Sequence, residues 1–278
     1  MRPLIDSHIH TERCGHARGS ADAYLASARA AGLEAIVFTE HLPIPAAYDP
    51  DGHLSIPDGE LPAYCAEIIG LQTGTSDPRT TGTLPQVILG AEADWLPDEH
   101  EWTAAQLDRA RANGVAVVLG SVHFLGMWAF DDPAELPAWD ERSVDEIWLE
   151  YADTWCDAAA SGLFDVLAHP DLPKKFGHRP SFDPAKMYER MAGAAAEGGA
   201  LIEVSTAGLR KPVGELYPGP QLLSAFRRAG VDATIGSDAH EPSEVGFGLD
   251  RAAEALVDAG YTRIALPLGP GERRWYEL

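Results

Sequence analysis

The chain has 278 residues, with 43 acidic side chains against 21 basic ones and a formal net charge of −22. This balance disfavours binding to nucleic acid or to an anionic membrane through a general basic surface, but it is compatible with a small anionic substrate. The sequence contains no run of eighteen apolar residues that could span a bilayer, and its N-terminus lacks the basic start and apolar core of a secretory signal.

The three cysteines favour a reducing compartment. Cys14, Cys65 and Cys156 are odd in number, far apart in the chain and without C-x-x-C spacing. We therefore expect free thiols in a cytoplasmic protein, and neither a disulfide framework nor a zinc–thiolate cluster.

Short apolar segments alternate with helical segments along the whole chain. Strands are predicted at 4–7, 34–39, 86–91, 115–121, 164–168, 200–205 and 231–235. Helices are predicted at 20–31, 61–71, 97–112, 143–162, 184–197, 220–229 and 243–259, followed by a last apolar run at 262–266. This alternation is typical of parallel β/α units. It predicts a single domain over residues 1–278, a length that β/α barrels commonly reach. The polar stretch 73–85 is predicted to be a mobile surface loop, and the sequence does not show whether it closes over the site.

Histidines and acids follow the predicted strands. His8 and His10 end the first strand, and because residues i and i+2 of a strand project to the same side, both imidazoles can meet one metal ion. Later strand segments are followed by His41, Glu92, His123, His169, Asp238 and His240. Since the loops after the strands of a β/α barrel share one face, the sequence predicts a metal site at that rim.

The ligand types suggest which ions are bound. Histidine and carboxylate without thiolate suit zinc, manganese or iron. With His16 added, the candidates outnumber the roughly four to six contacts of one ion, so two or three divalent ions with a bridging carboxylate are expected. Glu40 is predicted to orient an imidazole. The histidines that do not follow strands, His53, His100 and His178, are expected at the surface.

The motifs at these positions resemble those of the PHP (polymerase and histidinol phosphatase) family. They are DSHIHTERCGHARG, FTEHLP, GAEADW, GSVHF, LAHPDL and IGSDAH, and they extend from residue 6 to about residue 248. The segments AHPDLPKKFG and EVSTAGLRKPVGELYP are similar to histidinol-phosphatase members. The resemblance implies an α/β fold, a distorted (β/α)7 barrel with a three-metal cluster at the C-terminal ends of the strands.

The resemblance also implies how the ligands are shared. His8, His10, Glu92 and Asp238 would hold one ion, and Glu92 would bridge to a second. The second ion would also be bound by His123 and His169, and the third by His16, His41 and His240. All these positions match the family pattern in type, which favours a working enzyme.

The implied activity is that of a histidinol-phosphatase in histidine biosynthesis. L-Histidinol phosphate would be hydrolysed to L-histidinol and phosphate by attack of a metal-bridged hydroxide on phosphorus. Arg210 is the leading phosphate ligand because a guanidinium can chelate two oxygens, and Lys174 and Lys175 are weaker candidates. Asp238 or His240 could protonate the leaving alkoxide.

Loop residues could recognise the rest of the substrate. Trp128, Phe130 and Tyr217 could pack against the imidazole, and Asp131 or Glu203 could meet the ammonium group. The alternatives are another PHP phosphoesterase acting on nucleotides or other phosphomonoesters, a metal-dependent amidohydrolase, and a metal-stabilised binding module. The amidohydrolase is disfavoured because no lysine ends a predicted strand.

Overall fold

A computed structural model describes residues 4–75 and 84–278. The strands, in chain order, are β1 (Ile5–Ile9), β2 (Ala35–His41), β3 (Gln86–Asp94), β4 (Val117–Ser121), β5 (Phe124–Leu125), β6 (Trp128–Ala129), β7 (Val166–Leu167), β8 (Leu201–Ser205), β9 (Ala233–Gly236), β10 (Arg263–Gly269) and β11 (Glu272–Glu277). The helices are α1 (Ala21–Ala31), α2 (Leu61–Thr75), α3 (His100–Ala112), α4 (Val144–Ala160), α5 (Ala185–Gly198), α6 (Pro220–Arg228) and α7 (Leu249–Asp258). Residues 76–83 of the predicted loop lie outside the described residues.

Seven of the strands in this part of the chain form one parallel sheet, in the order β1-β2-β3-β4-β7-β8-β9. The sheet curves until its two edges meet, where Ile9 bridges to Ala239 and the amide of His10 donates to Ala239 O at 2.9 Å. A helix follows each of the seven strands. The predicted distorted (β/α)7 barrel is therefore confirmed.

The barrel strands are buried on both faces. Every residue of β1, β2, β4 and β8 is buried, as expected for parallel strands covered by helices on the outside. Polar side chains occur on these strands only where they point into the barrel or lie at its C-terminal rim. The register of β2 with β3 sets His41 beside Glu92, so the pairing of the sheet itself brings candidate ligands together.

Helix ends follow local sequence signals at several positions. The helix α1 begins after Ser20 and ends at Gly32, whose φ of 72° is the left-handed conformation that glycine adopts readily. The helix α7 begins later than predicted, because a 3-10 turn at Pro242–Glu244 precedes it. That turn keeps the segment after β9 close to the rim.

Two hairpins were not predicted as such. The strands β5 and β6 form a short hairpin in the connection from β4 to α4. The strands β10 and β11 form an antiparallel hairpin across the N-terminal ends of the barrel strands, where Arg273 donates to Gly199 O and Arg274 to Gln86 Oε1. Only β10 has an apolar signal, since β11 has the sequence ERRWYE, without a buried residue.

Two expectations about the whole chain can be compared with the structure. Within residues 4–75 and 84–278, no helix has the length and apolar character needed to cross a bilayer. Cys14, Cys65 and Cys156 are free thiols, as predicted.

Replacing Gly120 with alanine is expected to lower the melting temperature. A β-carbon here on β4 would lie 2.4 Å from Cγ of the buried Phe164. Overpacking of this kind costs about 1–3 kcal/mol, which corresponds to a fall of several degrees. Exposed Gly193 in α5 is the matched control, because a β-carbon there has nothing within 4 Å and Gly193→Ala should preserve or raise stability. Calorimetry that gave Gly120→Ala the wild-type melting temperature would contradict this packing.

Candidate metal centre

The Glu92 carboxylate lies at the centre of the C-terminal rim and is 1 % exposed. Five imidazoles of the described chain surround it. They are His8 Nε2, His10 Nε2 and His41 Nδ1 at 3.0, 3.3 and 3.4 Å from Oε2, and His169 Nε2 and His123 Nε2 at 3.1 and 3.8 Å from Oε1. A carboxylate with imidazole nitrogens gathered at both of its oxygens has the geometry of a bridging ligand.

His8 and His10 form the first ligand group with Glu92. Their Nε2 atoms are 2.9 Å apart, and Asp238 Oδ1 lies 3.2 Å from His10 Nε2 and 3.6 Å from His8 Nε2. Metal–nitrogen bonds are about 2.0 Å long for zinc, so atoms this close can share one ion. The structure brings together all four residues predicted for the first ion.

The second and third predicted groups also converge. Ligand atoms of Glu92, His123 and His169 lie within 4.8 Å of one another. His16 Nε2 is 3.1 Å from His240 Nε2, and the His41 ring centroid is 5.2 Å from that of His16.

His10 links the first group to the third. It lies close enough to His41 and His240 for the three to hold one ion, a sharing that the motif pattern did not suggest. His10 therefore lies next to candidate ligands of both groups.

The residues present fit divalent metal ions. Two pairs of imidazole nitrogens face each other at 2.9 and 3.1 Å, an arrangement that needs a proton or a cation because nitrogen lone pairs repel. Cys14 is not part of the donor set, since its Sγ donates to Thr11 O. Imidazole and carboxylate donors without thiolate suit zinc and related ions.

The surroundings of the centre raise the pKa of some of its histidines and lower that of others. Burial lowers the pKa of His123, but Asp94 outweighs this and raises it to about 10. Burial likewise lowers the pKa of His10, but Asp238 and Glu40 raise it to about 9. Burial and the neighbouring His10 both lower the pKa of His240. Because histidine binds metal only when neutral, loading the centre must release protons from His10 and His123.

The acids at the centre are ionised. Burial raises the pKa of Glu92 and Asp238, but the surrounding imidazoles outweigh it and hold both pKa values well below the ordinary range. Asp238 and His240 were both predicted as proton donors for the leaving group. Near neutral pH both are unprotonated in this structure, which favours their predicted role as ligands over that of proton donor.

Three carboxylates lie behind the histidines. Glu203 Oε1 is 2.9 Å from His8 Nδ1, and Asp94 Oδ1 is 2.8 Å from His123 Nδ1. Glu40 Oε1 lies 3.5 Å from His10 Nδ1, where an orienting residue was predicted. A carboxylate at Nδ1 leaves Nε2 free to face an ion.

Asp94 was missed from the sequence. Its spacing of two residues from Glu92 on β3 is the signal that could have found it.

The predictions for Glu203 and Phe130 are wrong. Glu203 is fully buried among the ligands and bonded to His8, so it cannot meet a substrate ammonium group. Phe130 is also fully buried and packs edge-on against Trp139 and Tyr151. Both side chains are buried inside the fold, which the sequence alone does not reveal.

Backbone strain is concentrated at two predicted ligands. Among the described non-glycine residues, only His169 and Asp238 have positive φ, at 26° and 51°, and such conformations persist where the surroundings impose them. The segment around Asp238 is held by buried Asp6, which accepts hydrogen bonds from Ser237 N, Ser237 Oγ and Gly246 N at 2.7, 2.6 and 2.9 Å.

Arg210 also supports this segment. Its Nη2 donates to the carbonyls of Ser237 and Asp238 at 2.8 and 3.0 Å, and its Nε pairs with Glu244 at 3.0 Å. The remaining nitrogen, Nη1, is buried without a partner in the described structure. In this conformation Arg210 can therefore reach a ligand through Nη1 alone, and not by the two-nitrogen fork expected from sequence.

The two candidate lysines, Lys174 and Lys175, differ in their burial and in their partners. Lys174 is fully buried, with its Nζ 2.7 Å from Asp171 Oδ2 and 2.7 Å from Leu216 O, so it joins the loops after β7 and β8 and is unavailable to substrate. Lys175 Nζ pairs with Asp131 at 2.8 Å. Asp131, predicted to meet the ammonium, is thus held by a cation.

A third cation, Lys211, was missed from the sequence. Partial burial lowers its pKa, and the nearby Lys175 lowers it further.

The remaining substrate candidates each carry one buried polar group without a partner in the described chain. These groups are Trp128 Nε1 and Tyr217 Oη. An unpaired buried donor is costly, so both are candidates for contact with a ligand.

His53 and His100 are exposed, as expected. His178 is half-buried and stacks on Trp139 with ring centroids 4.1 Å apart. Its expected surface position is therefore only partly correct.

Known proteins resemble this chain over almost its whole length. A Deinococcus radiodurans protein named "Probable histidinol-phosphatase" is 40% identical over 261 residues, which cover 94% of this chain and 95% of that protein. The histidinol-phosphatase of Bacillus subtilis is 27% identical over 281 residues, covering 91% and 98%.

A solved structure has the same fold. It is a histidinol phosphate phosphatase from Lactococcus lactis in complex with zinc, L-histidinol and phosphate, with a TM-score of 0.80 and 22% identity over 99% of this chain and 100% of that one. The sequence profile of the PHP domain matches residues 6–207. The chain therefore belongs to the PHP domain family.

Proposed function

We propose that this chain is a histidinol-phosphatase that hydrolyses L-histidinol phosphate to L-histidinol and phosphate. The observation that carries the proposal is that the ligands of the family pattern form adjoining groups, with five imidazoles gathered around Glu92 and His16 beside His240. The relative named histidinol-phosphatase at 40% identity over nearly the full length supports the same reaction. The L-histidinol and phosphate bound to the Lactococcus lactis protein are consistent with it.

Two or three ions of zinc, manganese or iron are proposed for the centre. His8, His10, Glu92 and Asp238 would hold one ion. Glu92, His123 and His169 would hold a second, and His16, His41 and His240 a third. When bound, such ions lower the pKa of water and neutralise phosphoryl oxygens.

The chain's own cations would bind the phosphate group. Arg210 offers its unpaired Nη1, and Lys175 lies on the preceding loop. Lys211, next to Arg210 in the chain, adds a third positive charge, and burial together with the charge of Lys175 lowers its pKa. A phosphomonoester dianion would neutralise the positive charge of this cluster. The chain's negative net charge does not prevent this, because local charges determine the electric field in a pocket.

The rest of the substrate would lie against the loops after β4 and β8. Trp128 Nε1 and Tyr217 Oη are the unpaired buried donors there, so we propose that both contact the leaving group directly or through water. Asp238 and His240 would act as metal ligands and not as proton donors to the departing alkoxide, because a bound cation lowers the pKa of its ligands further.

Histidinol phosphate should be the preferred substrate in a panel of phosphomonoesters that includes nucleoside monophosphates. The proposal expects its kcat/KM to exceed the others by at least about 100-fold, since several directed contacts of about 1–3 kcal/mol each distinguish the leaving groups. Preference for a nucleotide in phosphate-release assays of the metal-loaded enzyme would contradict it.

His123→Ala and Asp238→Asn are each expected to lower kcat by about 1000-fold or more, because a lost ion removes several kcal/mol of transition-state stabilisation. The fold should persist, which circular dichroism can check. Exposed His100→Ala is the matched control and should retain full activity. Near-normal turnover by a metal-replete His123→Ala enzyme would exclude His123 from the centre.

Arg210→Ala should lower kcat/KM by about 10- to 100-fold, the value of a charge-assisted hydrogen bond. Steady-state kinetics with histidinol phosphate provide the measurement. The control is Arg190→Ala, since Arg190 forms an exposed ion pair with Asp153 on the outer helices and should be neutral. An unchanged kcat/KM in Arg210→Ala would remove Arg210 from the phosphate site.

Removal of the ions should destabilise the protein. At a free metal concentration of 1,000 times Kd, one bound ion stabilises the native state by about 4 kcal/mol, so the chelator-treated protein should melt several degrees lower and regain its melting temperature with zinc. Identical melting curves before and after chelation, with metal loss verified by elemental analysis, would refute a structurally coupled centre.

A further inference from the structure

Glu203 is a fully buried carboxylate on β8, inside the barrel. Its two oxygens bind two different candidate ligands. Oε1 lies 2.9 Å from His8 Nδ1, and Oε2 accepts a hydrogen bond from the backbone amide of His169 at 3.0 Å. The carboxylate of Asp94, by comparison, accepts hydrogen bonds from His123 only among the described residues, at its backbone amide and its ring, and Glu40 lies beside the ring of His10.

The two histidines held by Glu203 belong to different ions. His8 is in the first group and His169 in the second, and Glu92 lies between the groups. His8 Nε2 meets Glu92 Oε2 at 3.0 Å, whereas His169 Nε2 meets Glu92 Oε1 at 3.1 Å. The two rings are stacked with centroids 5.9 Å apart. Glu203 on one side and Glu92 on the other therefore fix the separation of this histidine pair.

The neighbouring strand leaves space for this arrangement. A β-carbon at Gly236 on β9 would lie 2.2 Å from Glu203 Oε1 and 2.6 Å from the His8 β-carbon. The bond to the His169 amide also supports a residue whose φ of 26° is unfavourable. The absence of a side chain at Gly236 makes room for the Glu203 carboxylate, and that carboxylate in turn holds the amide of His169.

We propose that Glu203 is a positioning residue that couples the first and second ion sites, by setting the His8 ring and the His169 backbone at the same time. The inference shares with the proposed function the assignment of the ligand groups, and it does not depend on the identity of the substrate. A carboxylate at His8 Nδ1 keeps the proton on that nitrogen and the lone pair of Nε2 toward the ion.

The test is zinc binding by Glu203→Gln, with Asp94→Asn as the matched control. Both variants remove one negative charge beside a ligand, but Asp94 orients only His123. Glutamine has one acceptor oxygen for two donors, so either His8 adopts the wrong tautomer or the His169 amide loses its acceptor. His8 and His169 lie within hydrogen-bond distance of Glu92, at 3.0 and 3.1 Å, whereas His123 is 3.8 Å from it. Displacement of His8 or His169 should therefore reach both sites.

Zinc affinity should fall at two sites in Glu203→Gln and at one site in Asp94→Asn. The expected fall is about 10- to 100-fold at each site, the usual effect of losing an orienting partner. Competition with a chromophoric chelator and elemental analysis after dialysis measure affinity and stoichiometry. Thermal melting of the metal-free variants reports on purely structural damage. Loss of affinity at one site or none in a Glu203→Gln protein with wild-type metal-free stability would overturn the proposal.

If Glu203→Gln does not fold, Glu203→Asp provides the second variant. It retains the charge but withdraws the carboxylate by one methylene, so weakening of the same two sites is expected. Wild-type zinc binding by Glu203→Asp would equally overturn the coupling. Because zinc binding is measured without substrate, failure of the coupling is distinguishable from failure of the proposed function, which the phosphomonoester panel tests on the wild-type enzyme.

Discussion

The structure depends on the contact between one buried carboxylate, Glu92, and the imidazoles that surround it. A buried carboxylate is tolerated only when charges or hydrogen bonds compensate it, and here the compensation comes from residues on several different strands. The pairing of β2 with β3 supplies His41 directly opposite, and the closure of the barrel through Ile9 and Ala239 brings β1 beside the Asp238 loop. The closed sheet is therefore a condition for the centre, because an open sheet would leave these ligands at opposite edges.

A second set of interactions holds the ligands from behind. Carboxylates occupy the Nδ1 side of several histidines, and Asp6 and Arg210 fix the backbone that carries Asp238. Asp6, Glu40 and Glu203 are fully buried, so their effect on the chemistry is indirect. The centre is consequently determined by interactions within the barrel as well as by its ligands.

Much of this could be predicted from the sequence, for identifiable reasons. Continuous apolar strands alternating with helices predict the barrel, and a His or an acid at the end of six of the seven strands predicts the ligands, since both signals are local. The direction of inward-facing polar side chains is not local. Glu203 on β8 was therefore taken for a substrate contact although it bonds to His8 on β1. Lys174 looks like a solvated loop lysine, yet its partners Asp171 and Leu216 lie on two loops that only the fold brings together.

The hairpin of β10 and β11 limits the direction from which a reactant can approach the centre. It lies across the N-terminal ends of the barrel strands, and Ile264 and Leu266 of β10 are buried. The side chains of His123, Asp238 and His240 are partly exposed at the opposite, C-terminal rim. A reactant therefore approaches the centre from that rim, and both products leave from the same side.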